Sequence, residues 1–310
     1  MSPGVTSLWV DLPVNIAKEI MTIIQLIYGV PSIVLMLFLI IFLGCSPKYS
    51  SSFYRLVQVD LLTNLICWLN TWISLRSSEF AWGTTYIKFF ESILPGTWNF
   101  STYLLNFFMH LQFCSAAWMS VHRISSILFF NHYEKFWSRY YMLIALIFCG
   151  YSCIPQIPGE YPQMSLVNGS LYFTFYPARV HSFNVQVLTF SVVYFVTLVG
   201  LGISVPLIAK YRLRDVVTDS GLSRKLTRIA LTYGFVYSGI LAWTVINTLQ
   251  SLFSLFPEWF GKASYAMLSV ASDMMTLALP YILLIYDSNI KRDLRNPLES
   301  SKITTAIVSS

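Results

Sequence analysis

Ile20-Met21-Thr22-Ile23-Ile24-Gln25-Leu26-Ile27-Tyr28-Gly29-Val30-Pro31-Ser32-Ile33-Val34-Leu35-Met36-Leu37-Phe38-Leu39-Ile40-Ile41-Phe42-Leu43 contains no charged side chain. A helix rises about 1.5 Å per residue, so about 20 apolar residues cross a bilayer, and this run is long enough. Six further apolar runs follow it at 54–75, 100–130, 139–157, 181–209, 226–253 and 263–286. Charged residues make up 11% of the 310 positions, against about 25% in a soluble domain. A hydrated surface cannot be built from so few charges, so the bilayer is the main solvent. The chain therefore reads as an all-α membrane protein, one seven-helix domain over residues 1–310 with short loops and an inner tail at 287–310. No basic segment precedes the first run, which is expected to remain as an uncleaved anchor.

The 20 Lys and Arg residues set the orientation. Lys48, Arg55, Arg123, Lys135, Arg139, Lys210, Arg212, Arg214, Arg224, Lys225, Arg228, Lys291, Arg292, Arg295 and Lys302 fall on one side of the bundle. Lys18, Arg76, Lys88, Arg179 and Lys262 fall on the other. The richer side is cytoplasmic by the positive-inside rule, which puts the N-terminus outside and the C-terminus inside. The net charge of +6 belongs to this bias, and nucleic acid is not an expected partner. Two glycosylation acceptors, Asn99-Phe100-Ser101 and Asn168-Gly169-Ser170, both lie on the outer side. Asn168 sits within the second outer loop, whereas Asn99 abuts a span. The five cysteines show no metal-ligand spacing, and Cys149 and Cys153 read as small packing residues.

Polar residues inside spans are costly and tend to face the bundle interior. Asp60 and Asn64 share a face of the second span, and Ser269, Asp273, Thr276 and Pro280 share one of the seventh. Asp60, Asn64, Thr276, Pro280 and Tyr281 are expected to form either a structural polar network or one that switches between two packings. Nearer the outside, Tyr103, Asn106 and His110 share a face of the third span, with Gln112 pointing the opposite way. Ser182, Gln186, Thr189 and Thr197 share a face of the fifth, and Trp243, Asn247 and Gln250 one of the sixth. If these faces converge, Tyr103, Asn106, His110, Gln186, Trp243, Asn247 and Asp273 line an outward-facing pocket for a small amphipathic ligand. The alternative is that each polar group only bonds a neighbouring helix. No catalytic triad order, phosphate loop, nucleotide fingerprint or metal set is present, so neither an enzyme nor a cofactor is expected. Lipid-facing and copy-facing helix surfaces look alike, so a dimer stays open.

Three local motifs carry a resemblance. Tyr28-Gly29-Val30-Pro31-Ser32 opens the first span, and Ser51-Ser52-Phe53-Tyr54-Arg55-Leu56 opens the second, ahead of Asp60 and Asn64. Ala278-Leu279-Pro280-Tyr281-Ile282-Leu283-Leu284-Ile285-Tyr286-Asp287-Ser288-Asn289 closes the seventh. With the seven-span layout they resemble the nematode serpentine receptor class gamma (Srg) chemoreceptors over roughly residues 25–295. The resemblance implies a GPCR-like bundle that binds a small, pheromone-like external cue and activates a heterotrimeric G protein. It also implies a multi-pass plasma-membrane protein of sensory-neuron cilia.

Under that resemblance Arg123, with Arg212, Arg214, Arg224 and Lys225 of the third inner loop, forms the G-protein interface. Rhodopsin-like receptors differ in ways that matter here. Ser120-Val121-His122-Arg123 has no acidic residue before the arginine, residues 158–180 contain no cysteine, and no proline stands near Trp243. A ligand-gated cation channel of seven-span subunits is the alternative, but no pore-lining charge ring is visible in the spans.

Overall fold

The computed structural model describes residues 4–8, 16–78, 80, 82–129, 132–154, 162–212, 220–255 and 257–295. The prolines at 155 and 158, expected to end the fourth span, and residues 296–310 of the expected tail lie outside these.

Seven long helices form the bundle: α1 (Ile16–Cys45), α2 (Ser52–Ser74), α4 (Thr97–Leu128), α5 (Tyr133–Cys153), α6 (Pro177–Arg212), α7 (Ser220–Phe253) and α8 (Glu258–Tyr286). They match the seven expected spans in order. Five of them are apolar enough on composition alone to cross a membrane. The other two are α4 and α5. Helix α4 carries Asn106, His110, Gln112, His122 and Arg123, but it packs against α2, α5 and α6, which shelter those groups. In α5 the charges are confined to Glu134, Lys135 and Arg139 near its start.

The bundle buries many of its polar residues and exposes many of its apolar ones, as lipid requires. Asp60, Asn64, Gln112, Ser269 and Asp273 are buried, whereas Ile27 and Phe235 are each 69% exposed. One core cluster joins α1, α2 and α8 through Met36, Leu61 and Leu283. A second joins α4, α6, α7 and α8 through Phe113, Leu198, Tyr237 and Met275.

Two elements on the outer side were not anticipated. Helix α3 (Gly83–Ile93) fills the loop after α2 and buries Ile87 and Glu91. Glu91 then caps α4: its Oε1 accepts from Trp98 N at 2.7 Å, and its Oε2 from Gly96 N at 2.8 Å. The second outer loop holds a hairpin, β2 (Gln163–Val167) and β3 (Ser170–Phe175), and β1 (Val5–Leu8) adds antiparallel to β3. Asn168 and Gly169 turn the hairpin at φ 50° and 75°. That pair of left-handed residues is what a two-residue hairpin turn matching strand twist demands. Met164 and Leu171 pack under the hairpin on Ile87 and Trp98. On the inner side α9 (Ser288–Arg295) follows α8 and buries Ile290.

Candidate functional site

A cavity of about 390 Å³ opens between the outer halves of the helices. Its walls come from α4 (Thr102, Asn106, Met109), α6 (Phe183, Asn184, Val187), α7 (Trp243, Asn247) and α8 (Leu268, Ser272, Met275), with Phe173 of β3 above. Gln112 forms part of its floor. Three residues expected for the pocket, Asn106, Trp243 and Asn247, line it, as does Gln250 of the same α7 face.

Tyr103, His110, Gln186 and Asp273 do not. The His110 ring turns to α6, where Nδ1 meets the Tyr194 hydroxyl at 2.8 Å and Phe190 lies edge-on at 5.0 Å. Tyr103 engages Cys153 of α5. Helix α6 presents Phe183, Asn184 and Val187 to the cavity, and Gln186 falls outside that arc. Further along the same expected stripe, Thr189 and Thr197 are exposed, and each donates to the carbonyl four residues back, at 2.9 and 2.8 Å. Such back-bonding lets a hydroxyl face lipid without a partner helix, so polar spacing alone overstates the pocket.

Asp273 is engaged elsewhere. Arg76, placed by sequence in the first outer loop, is 0% exposed, and its Nη2 pairs with Asp273 Oδ1. The Tyr28 hydroxyl donates to the other carboxylate oxygen. The Arg76 guanidinium also lies 4.7 Å from the Trp72 ring and 5.4 Å from that of Trp68. Gly29 makes room for this arrangement, because a Cβ there would stand 2.8 Å from Trp68 Cζ2. The Tyr28-Gly29 motif thus has a packing cause, and the pair ties α1, α2 and α8 together.

Beneath the cavity the expected polar network forms in part. Asn64 Nδ2 donates to Asp60 Oδ2 at 3.4 Å, and Gln112 Nε2 donates to Asn64 Oδ1 at 2.7 Å and to Thr276 Oγ1 at 3.1 Å. Gln112 therefore bridges α2 and α8 from α4. The 3.6 period set Gln112 opposite the face of Tyr103, Asn106 and His110, but Gln112 and Asn106 line the same cavity, while Tyr103 and His110 do not. Tyr281 lies outside this network, with its hydroxyl 2.8 Å from Ser32 Oγ on α1. Pro280 is buried within α8 and contributes no donor.

At the inner end the described residues around Arg123 leave little space. Arg123 reaches between α4, α6 and α7, beside Tyr233 and Gly202, in a void of only about 20 Å³. Its guanidinium lies 5.5 Å from the Phe53 ring. Arg212 is exposed at the end of α6, Arg214 lies outside the described residues, and Arg224 and Lys225 belong to the first turns of α7. Glu134 caps α2, accepting from Ser52 N at 2.6 Å and Ser52 Oγ at 2.7 Å, and the same Oγ meets His122 Nε2 at 2.9 Å. That contact set gives Ser52 of the second-span motif its physical reason. Helix α9 is pinned by Asp293, which accepts from Lys48 Nζ at 2.5 Å and from the Tyr49 hydroxyl at 2.7 Å. Burial would raise the Asp293 carboxyl, but the hydrogen bonds from Lys48 and Tyr49 outweigh it and hold the group below the usual carboxylate range. Burial and then the bond to Asp293 push the Tyr49 phenol far up, so it remains a donor.

The sequence profile of the Srg family chemoreceptors matches residues 22–294. The chain belongs to the Srg chemoreceptor family. Serpentine receptor class gamma-47 of Caenorhabditis elegans is 36% identical over 276 residues, covering 88% of this chain and 89% of that protein. Serpentine receptor class gamma-53 of the same organism is 29% identical over 290 residues, covering 90% and 92%. The match to the Srg profile runs from Thr22 within α1 to Leu294 within α9 and so takes in part or all of every long helix, which makes this a seven-transmembrane bundle. Within this Srg chain the outer cavity, the Gln112 network and the Arg123 end are stacked along one axis, from α4 inward.

Proposed function

We propose that this Srg chemoreceptor binds a small external cue in the outer cavity and, in response, activates a heterotrimeric G protein at its inner face. The observation that carries this reading is the double role of Gln112: it floors the cavity and bonds both Asn64 of α2 and Thr276 of α8. A ligand touching Gln112 acts on the contact between two helices, and it shifts the packing only if it binds the two arrangements with different affinity. The small void around Arg123 is the place where an opened arrangement would admit a partner, and the basic residues Arg212, Arg214, Arg224 and Lys225 of the third inner loop would supply positive charge to that partner. The plasma membrane of sensory cilia, exposed to external chemicals, suits such a role.

The test uses cells expressing the full chain with a heterotrimeric G protein, challenged with fractionated secreted small molecules. A fraction should evoke a calcium or cyclic-nucleotide response in the parent and much less in Asn106→Ala and Trp243→Ala variants of equal surface level. A response that survives G-protein blockade, or that both variants retain in full, overturns the reading.

A further inference from the structure

Among the described residues, the cavity lining contains no charged side chain. Arg76 and Asp273 neutralise one another in the outer half of the bundle and lie outside that lining: Ser272 faces the cavity, while Asp273 faces α1 and α2. The polar side chains of the lining are uncharged: hydroxyls, carboxamides, the Trp98 and Trp243 indoles and the Cys67 thiol. Thr102 lines the space, and its buried Oγ1 has no hydrogen-bond partner among the described residues. One turn further along α4, Asn106 makes no side-chain hydrogen bond among the described residues. Across the cavity Asn247 Nδ2 donates to Asn184 Oδ1 at 3.2 Å, so that wall is partly satisfied already. The remaining walls are aromatic and aliphatic: Phe173, Phe183, Trp243, Met109 and Ile240.

An ionised group drawn into this space would lose its hydration and find no counter-charge, which is far more costly than burying an amide or hydroxyl that gains a partner. An orphaned Thr hydroxyl beside an unengaged carboxamide offers both donors and acceptors at one place, and such groups favour a ligand that completes them. We infer that the cavity selects an uncharged amphipathic ligand, whose hydroxyl, carbonyl or amide end is held by Thr102 and Asn106 while its apolar body lies against Phe183 and Trp243. This rests on the receptor reading only in taking the cavity as the ligand site.

Three probes of equal chain length separate charge from hydrophobicity: decanamide, decanoate and decylammonium. Each is added to the purified full chain in phosphatidylcholine nanodiscs at neutral pH, and thermal stability and tryptophan fluorescence are followed. Decanamide should raise Tm, and both charged probes should need at least about tenfold higher concentration, a difference of about 1.4 kcal/mol. A Thr102→Val/Asn106→Ala variant should fold with an unaltered α4 and lose the decanamide shift. Equal shifts from a charged probe, a decanamide shift that the variant retains, or no shift from decanamide each overturn the inference. A chain that binds decanamide through these residues but never drives nucleotide exchange with any cue would sink the receptor reading and leave this one standing.

Discussion

Arg76 and Asp273, 197 residues apart in the chain, form an ion pair buried from solvent, with Tyr28 on the same carboxylate. The pair fastens the outer end of α2 to α8. Its burial turns a residue that the charge pattern assigned to an outer loop into part of the bundle's interior.

Removing one member leaves the other charged and unpaired in a low-dielectric site, at a cost of about 3–5 kcal/mol. Arg76→Met or Asp273→Leu alone should lower the Tm of the detergent-solubilised protein sharply and reduce surface expression. The double variant should recover much of the loss, because well-packed apolar replacements of a buried pair are tolerated. A double variant as unstable as the sum of the singles would show that the two residues act independently.

Gln112 donates to Asn64 and to Thr276. Gln112→Leu should cost about 1–3 kcal/mol by leaving the Asn64 oxygen without its donor, and it should shift the concentration dependence of any cue response. Gln112→Glu should keep the shape and lose the donors. Thermal unfolding and a dose–response curve check both, and an unchanged curve would separate the network from signalling.

Asp293 holds α9 against Lys48 and Tyr49. Its carboxyl is depressed in the folded chain, so its contribution is fully present above the ordinary carboxylate pKa and is lost as pH falls through the lowered folded value. Hydrogen exchange across residues 288–295 should stay protected at neutral pH and become unprotected only in acid. Asp293→Asn should remove that acid step and expose the segment at all pH values.

Asn99 and Asn168 should differ as acceptors. The Asn99 carboxamide donates to Met164 O at 2.9 Å and accepts from Met164 N at 2.7 Å, whereas Asn168 is exposed at the hairpin tip. Glycosidase treatment should shift the mobility of the parent and of Asn99→Gln, and should leave Asn168→Gln unmoved. Asn99→Ala should also loosen the hairpin, which two hydrogen bonds of about 1 kcal/mol each join to α4.

Helix count, order and sidedness were legible because lipid imposes them locally: each span must be apolar over its own length, and each inner loop must carry its own positive charge. The same locality hid α3 and the hairpin. Their signals were an amphipathic stretch at 83–93 and an Asn-Gly pair between short alternating runs, which are weak beside seven hydrophobic spans. Half-stripes of polar residues at similar depth pointed to a pocket, and the α7 stripe of Trp243, Asn247 and Gln250 does line it. The α6 stripe failed because Thr189 and Thr197 satisfy themselves on their own backbone.

By itself, then, the sequence determined a seven-span bundle, its orientation and the positions where polarity enters the membrane, since these follow from one-dimensional hydropathy and charge. Which polar groups meet was decided only by tertiary structure. Arg76 with Asp273, Gln112 with Asn64 and Thr276, and Thr102 beside Asn106 on a cavity wall depend on how each helix is rotated about its axis. That rotation is fixed by side-chain packing between neighbours such as Gly29 and Trp68, and no periodicity within a single helix contains it.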